Sequence, residues 1–415
     1  MGPLRYRDFR FLWIGWVLGA TGSWVHQVAT LWLILELTDS PFMLGLSGVF
    51  MSVPFLVTSL FGGALADRMD RRKLLLVTQA IAVVLAFVPA VLSGLGIIQV
   101  WHLYALSFVS WTVGAFDAPA RHAMIPSLVP EKQLMGAIAL TSVIRRSTAL
   151  VGPMIGGGAI TLFGVTGAFF LYAFIHVMVL VTIFQMRTRE NAIEHRRPPM
   201  SRSIIEGLKT ARQSRVIFGI LCVEAVSTMM VTYQPLMPIF ARDILQVGPA
   251  GLGLLYTSAG VGALIGSAIL VQIGDIKNKG KIFFLTALVQ PAAVLLFGLS
   301  PWLILSMTML AVSGVLEVIG GTVRNAMLQL STENRMRGRI MGLNMMVHRG
   351  LGPLSGLPAG SVATLVGAPL AISGGAAFFI FYALFMFVRV PELYRYRIRA
   401  SDGSSAEGAA KREVA

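Results

Sequence analysis

The chain has 415 residues, 55% of them hydrophobic and only 13% charged, with a net charge of +15 and one cysteine. A soluble globular domain carries roughly 25% charged residues, and disordered, collagen-like and coiled-coil chains need low hydrophobicity, a glycine period or abundant charge, so the composition excludes all four. The lone Cys222 excludes an intrachain disulfide and a multi-cysteine zinc cage, and a polytopic membrane protein remains.

A helix needs about 20 apolar residues to cross the hydrocarbon. Breaks at charge clusters, Gly-Pro pairs and polar knots divide the chain into twelve such spans: 10–36, 42–66, 73–94, 100–124, 133–162, 166–186, 216–240, 251–274, 281–299, 302–328, 338–366 and 369–389. The first apolar run, Phe11 to Leu35, is too long for a signal-peptide core and is retained as span 1.

Along the chain, polar residues interrupt these spans in a few places. On span 1, Ser23, His26, Gln27 and Thr30 follow the i, i+3, i+4, i+7 spacing of one helix face, with Trp24 beside them. After span 2 the loop GGALADRMDRRK places Asp67 among Arg68, Arg71 and Arg72, just past Gly63. A carboxylate among arginines at helix ends can form charge-assisted contacts in one conformation and release them in another. Span 4 carries Asp117 and span 5 carries Arg145 and Arg146. The stretch 187–215 has the composition of a linker; Ser203 with Glu206 gives a capping-box pattern, and Ile204, Ile205, Leu208 and Ala211 share one face, which predicts a short amphipathic helix on the membrane surface.

Span 7 carries Glu224, Ser227 and Thr228 on one face, with Tyr233 and Gln234 ahead of the helix-disturbing Pro235. Such polar faces either bind a neighbouring helix or line a wet cavity. On span 8, Gly260, Gly262 and Gly266 lie inside an apolar helix with no strand before them, and they read as a packing face rather than a dinucleotide fingerprint. A degenerate copy of the earlier loop, IGDIKNKGK with Asp275, follows. Glu317 on span 10 and Arg349 on span 11 sit at matching depths, so spans 4 with 5 and 10 with 11 each offer an acid and a base. An ionisable group in the bilayer marks a functional site by default, the bland alternative being a buried pair that ties helices together.

The two halves echo each other. ARHAM, a charged loop and GPMIG in the first become VRNAM, a charged loop and GPLSG in the second, so Arg121 matches Arg324 and Arg146 matches Arg349 at a common offset. The expected organisation is a six-helix bundle at 1–186, the linker at 187–215, a second six-helix bundle at 216–389 and a tail at 390–415. Nearly all of the 34 Lys and Arg residues fall in the termini and the loops on one side, Arg242 being the loop exception, which puts both termini in the cytoplasm. The charge therefore belongs to loops beside anionic lipid, and no nucleic-acid surface is expected. There is no Walker A lysine motif, no HExxH and no nucleophile-base constellation, so neither an enzyme nor a cofactor or metal site is expected.

The loop motif after span 2, through Gly63, Asp67, Arg68, Arg71 and Arg72, resembles the motif that marks the major facilitator superfamily; Asp70 stands where that motif usually has glycine. WVHQVATLWLILELTDSP, GAFDAPARHAMIPSLVP and GLGLLYTSAGVGALIGS resemble its bacterial drug and siderophore efflux branch, macrolide exporters among them, and VGPMIGG is similar to the core of the antiporter motif. The resemblance implies an all-α fold of two pseudo-symmetric bundles and a proton-coupled exporter of an amphiphilic small molecule in the bacterial inner membrane, with spans 1, 4, 7 and 10 lining a central cavity. The expected substrate contacts are Trp24, His26, Gln27, Tyr233, Gln234, Arg145, Arg146 and Arg349, with Asp117, Glu224 and Glu317 as proton-coupling candidates and the loop motif with Asp275 as the gate. A monomer that meets its substrate, protons and lipid is expected. An importer of a small anionic metabolite, or a channel, stays as an alternative.

Overall fold

The computed structural model describes residues 2–66, 70–187, 200–274 and 276–396, the side chains of 55, 59–66, 145, 200–206 and 349 excepted. Asp67, Arg68 and Asp275 lie outside the described residues, and the side chains of Arg145 and Arg349 lie outside the description as well. Among the described residues every element is helical. In chain order these are α1 (Arg7–Thr38), α2 (Pro41–Ala66), α3 (Arg71–Gly94), α4 (Val100–Leu128), α5 (Glu131–Phe184), α6 (Met200–Gln213), α7 (Arg215–Met230), α8 (Gly248–Ile273), α9 (Lys279–Leu299), α10 (Leu303–Leu330), α11 (Arg337–Met346), α12 (Gly356–Val366), α13 (Ala368–Arg389) and α14 (Pro391–Tyr394). Turns of 3-10 and π helix carry α7 on to Ile244 and join α11 to α12.

Helix runs through the expected spans, with a bend at 231–233 inside the seventh. Eight helical stretches among the described residues are long and apolar enough to cross a membrane. The 32-residue α1 and the 29-residue α4 have the length but not the hydropathy; α1 carries the polar face seen in the sequence and α4 carries Asp117. The 54-residue α5 is two limbs. Gly164 has φ 70° and ψ 176°, a conformation that costs glycine little and a β-carbon much. Positions 22 and 25 of α1 touch Ile175 and Gly156 respectively. At 1.5 Å per residue those two partners would lie roughly 28 Å apart on a straight rod, so the chain reverses at Gly164. Gly367, at φ 86°, makes the equivalent break between α12 and α13, at the same offset that relates Arg121 to Arg324.

Asp70 fills the place of a motif glycine by capping α3, its carboxylate accepting from the Lys73 amide at 3.1 Å. The predicted amphipathic helix forms as α6. Gly207 and fully buried Ala211 give it a small face that closes on Leu343 and the Arg339 backbone of α11. Beyond α13, buried Leu393 packs against Gly219 of α7, and the Gly280 amide donates to the Tyr396 carbonyl, so this segment straps α7 to α9.

The first six spans meet the last six along two small-residue seams. In one, α5 runs beside α8: a β-carbon on Gly253 would lie 2.7 Å from the Pro153 carbonyl oxygen, and Thr257 donates to Leu150 O at 2.9 Å. In the other, α2 runs beside α12, where a β-carbon on Gly356 would lie 2.9 Å from the Gly45 carbonyl oxygen. Both seams favour the end of the bundle away from the termini, here called the far face. A latch closes the same end. Arg242, the loop cation on the unexpected side, donates to Asp39 past the end of α1, to the Leu35 carbonyl at 3.3 Å and to Asp243 at 2.6 Å.

Magnitudes separate seam from latch. Overpacking a backbone contact costs about 1–3 kcal/mol, whereas an ion pair with a 78%-exposed Asp39 is worth at most about 1 kcal/mol. In a Cys222→Ala background with a reporter cysteine at buried Leu35, Gly253→Val should raise far-side maleimide labelling about tenfold, and Asp39→Asn no more than about fivefold. Equal labelling in all three proteins would contradict far-face closure by these contacts.

Candidate functional site

A cavity of about 1040 Å³ lies between the two sets of helices and reaches Gly338 at the start of α11, so it extends toward the end that bears the termini. Its charged or titratable lining groups are Arg146 of α5, Glu224 of α7, Glu317 and Arg324 of α10, His348 after α11, and the Tyr233 phenol. Gln27, Gln234, Gln290 and Asn325 add uncharged polar groups.

The sequence face on α1 splits in two. Neighbouring helix positions point about 100° apart, so Gln27 and Leu31 line the cavity while His26 turns toward α5. There the imidazole stacks on Tyr172, centroids 4.6 Å apart, and its Nδ1 lies 3.4 Å from the Thr30 hydroxyl. Trp24 also stays off the cavity lining: it packs over Gly152 and faces Tyr256 with ring centroids 6.0 Å apart. Both residues were expected to meet substrate, and both instead brace α1 against α5 and α8. Tyr233 and Gln234 do line the cavity, held by the Tyr256 hydroxyl, which donates to the Gln234 carbonyl at 2.7 Å.

Asp117 lies outside the cavity lining and finds its cation on its own helix rather than on span 5. Arg121 Nε donates to Oδ2 at 2.5 Å, and Gln79 and Thr78 of α3 donate to Oδ1 at 2.8 and 3.1 Å. His176 of α5 lies 3.3 Å from the Gln79 amide oxygen, which extends the network to a third element. The Arg121 side chain is only 5% exposed and the Asp117 side chain 14%.

The second half repeats the theme with the cavity added. Arg324, the counterpart of Arg121, donates from Nη1 to Glu224 Oε2, and His348 Nδ1 lies 3.1 Å from Glu224 Oε1. Arg324 and His348 were not selected from the sequence; the match of ARHAM to VRNAM was the signal for the first, and nothing in the local pattern marks the second. Glu317, expected beside Arg349, lines the cavity about two turns from Arg324 on α10. Arg146 differs from the other described intramembrane charges. Its guanidinium donates to the Ser267 hydroxyl of α8, and no carboxylate pairs with it among the described residues.

Of the loop motif, Arg71 donates to the Ala123 carbonyl at 3.0 Å and Arg72 to the Phe184 carbonyl at 2.9 Å, both within the first half, and Gly63 belongs to α2. These arginines offset the negative carbonyl ends of α4 and α5.

Removing one partner of a buried pair leaves an uncompensated charge. Asp117→Asn should therefore lower stability in detergent by about 3–5 kcal/mol, and the double variant Asp117→Asn/Arg121→Gln should recover a large part of that in thermal unfolding. A single variant as stable as the parent would show that the network holds nothing together.

Comparison with known proteins fits this architecture. The family model described as "Transmembrane secretion effector" matches residues 1–409. The enterobactin exporter EntS of Shigella boydii serotype 18 (strain CDC 3083-94 / BS512) is 29% identical over 311 residues, 75% of this chain and 74% of that protein. EntS of Escherichia coli O1:K1 / APEC matches to the same extent. Among solved structures, a bacterial homologue of the human lysosomal transporter Spinster, inward-facing and unoccupied, aligns with a TM-score of 0.70 at 14% identity over 96% of this chain and 100% of that one. A POT family transporter in complex with 5-aminolevulinic acid gives 0.73 at 11% identity over 93% and 96%. The helices, the seams and the shared cavity are those of a multi-pass membrane transporter, and the chain belongs to the transmembrane secretion effector family of the major facilitator superfamily.

Proposed function

We propose that this transporter exports a siderophore-like acid from the cytoplasm across the bacterial inner membrane, using the proton gradient and alternating access. Residues 1–186 and 216–389 act as two rocking bundles, 187–215 links them, and 390–415 is the tail. The basic loops support a cytoplasmic terminal face, and in that orientation the described conformation is open inward and latched outward. Its carrying observation is Arg146. A cation inside the bilayer whose partner is a hydroxyl, facing a cavity of about 1040 Å³, is suited to an anionic group of a ligand. The likeness to an enterobactin exporter supports both the direction and the class of cargo.

One of the three acids Asp117, Glu224 and Glu317 exchanges the proton, and two of them line the cavity. Alternating access exposes the cavity to each side in turn, and a carboxyl group whose surroundings change between the two states takes up and releases a proton as it does so. Asp117 sits apart, in contacts confined to the first half.

Inverted vesicles with an imposed pH gradient as the only energy source should accumulate a siderophore acid, and the protein with all three acids neutralised should not. Arg146→Gln should weaken the apparent affinity for that acid about tenfold, the worth of one charge-assisted hydrogen bond, while leaving a cationic macrolide unaffected. Accumulation of the macrolide alone, or undiminished transport by the triple variant, would overturn the respective half of the proposal.

A further inference from the structure

The chemistry around Arg324 goes further than a structural ion pair. Its guanidinium faces the cavity, with Asn325 beside it and the His348 imidazole on the far side of Glu224, and this cation, imidazole and amide are groups that receive an acidic oxygen. The place of that oxygen is taken by Glu224 Oε2. Arg324 Nε is buried and has no hydrogen-bond partner, so Glu224 leaves part of the guanidinium's donor capacity unused. Glu224 is a single carboxylate shared between two partners on two elements, with its side chain 7% exposed.

We propose that Arg324, His348 and Asn325 form an anion subsite of the transport cavity, for a carboxylate or comparably acidic group, and that the Glu224 carboxylate occupies it as a built-in competitor. The inference rests on the reading of this cavity as the substrate site. When a ligand oxygen replaces Glu224 on Arg324, the displaced carboxylate is left in a poorly hydrated site, where the neutral acid is favoured. It then takes a proton from hydronium that reaches the cavity from bulk solvent, leaving neutral water, the O–H bond forming as the contact to Arg324 breaks. Anion and proton therefore bind together here, and by reciprocity each strengthens the other.

Every other group that faces Glu224 bears on the sign. Arg324 of α10 favours the anion of Glu224, and so does His348 when protonated; Arg146 of α5 lines the same cavity as a further cation, and Glu317 of α10 as a second acid. Because an anion bound at Arg324 brings a proton with it, Glu224 cannot be the group that releases a proton when that anion binds. The proton exchanged against cargo then belongs to another acid, and Glu317 is the one in the cavity.

The test is salicylate binding to the purified full-length protein by titration calorimetry, with uncharged benzamide as the control. Salicylate stays ionised across the range used. The parent protein should bind it about tenfold more tightly at about pH 5.5 than at about pH 8. Glu224→Gln should bind it more tightly than the parent at about pH 8, and Glu224→Gln/His348→Gln, which removes the imidazole as well, should bind it with one affinity at both values. The double variant Glu224→Gln/Arg324→Gln, which removes both charges and leaves no uncompensated ion to unfold it, should lose salicylate while unfolding at the same temperature as Glu224→Gln. Affinity in the parent that is flat or rises with pH, a pH dependence retained in Glu224→Gln/His348→Gln, or salicylate held by the folded Glu224→Gln/Arg324→Gln variant would each overturn the subsite. The exporter reading fails separately: this binding pattern in a protein that moves no acid in vesicles supports the subsite and removes only the transport direction.

Discussion

An ionised side chain held in hydrocarbon costs several kcal/mol unless a counter-charge or water meets it, and the charged groups described inside this bundle are arranged by that rule. Asp117 and Arg121 neutralise each other within one helix and take Gln79 and Thr78 as further donors. Glu224 is shared by Arg324 and His348. Among the described residues Arg146 reaches only the Ser267 hydroxyl, and its placement depends on the cavity it lines. Without a space between the halves this arginine would have no reason to stand where it does.

That space exists because the halves touch closely elsewhere. The α5/α8 and α2/α12 seams bring backbone against backbone at Gly253, Gly356 and Gly45, and close packing of small residues is what drives helix association where no hydrophobic effect operates between helices. The seams concentrate toward the far face and the cavity toward the terminal face. The Arg242 latch, half in water, adds little energy but fixes how α1 meets the end of α7. A rocking motion that opened the far face would have to part contacts between the halves, whereas the Asp117 network, confined to one half, could move as a body.

Much of the fold was legible in the sequence because span length and hydropathy are one-dimensional quantities. Even the reversal at Gly164 falls in the gap expected between 162 and 166. The site was legible only in outline. Gln27, Arg146, Glu224, Tyr233, Gln234 and Glu317 do face the cavity, yet His26 and Trp24, adjacent to or near Gln27, face away, since one residue turns a side chain through about 100°. Partner choice is also invisible along the chain. Asp117 took Arg121 four residues away instead of an arginine on α5, and Glu224 took Arg324 and His348 from two distant elements. Arg242 read as an exception to the charge pattern until Asp39 appeared opposite it.

The central claim is that a single cavity between the halves, open toward the termini, receives an acidic ligand at its arginines. The most direct measurement is a lipid-embedded crystal or cryo-microscopy structure with 5-iodosalicylate bound. The account places the iodine signal inside the cavity, with the carboxylate within hydrogen-bond distance of Arg146 or Arg324. An iodine signal confined to the lipid-facing surface, or a central space filled by side chains with no room for the ligand, would contradict it.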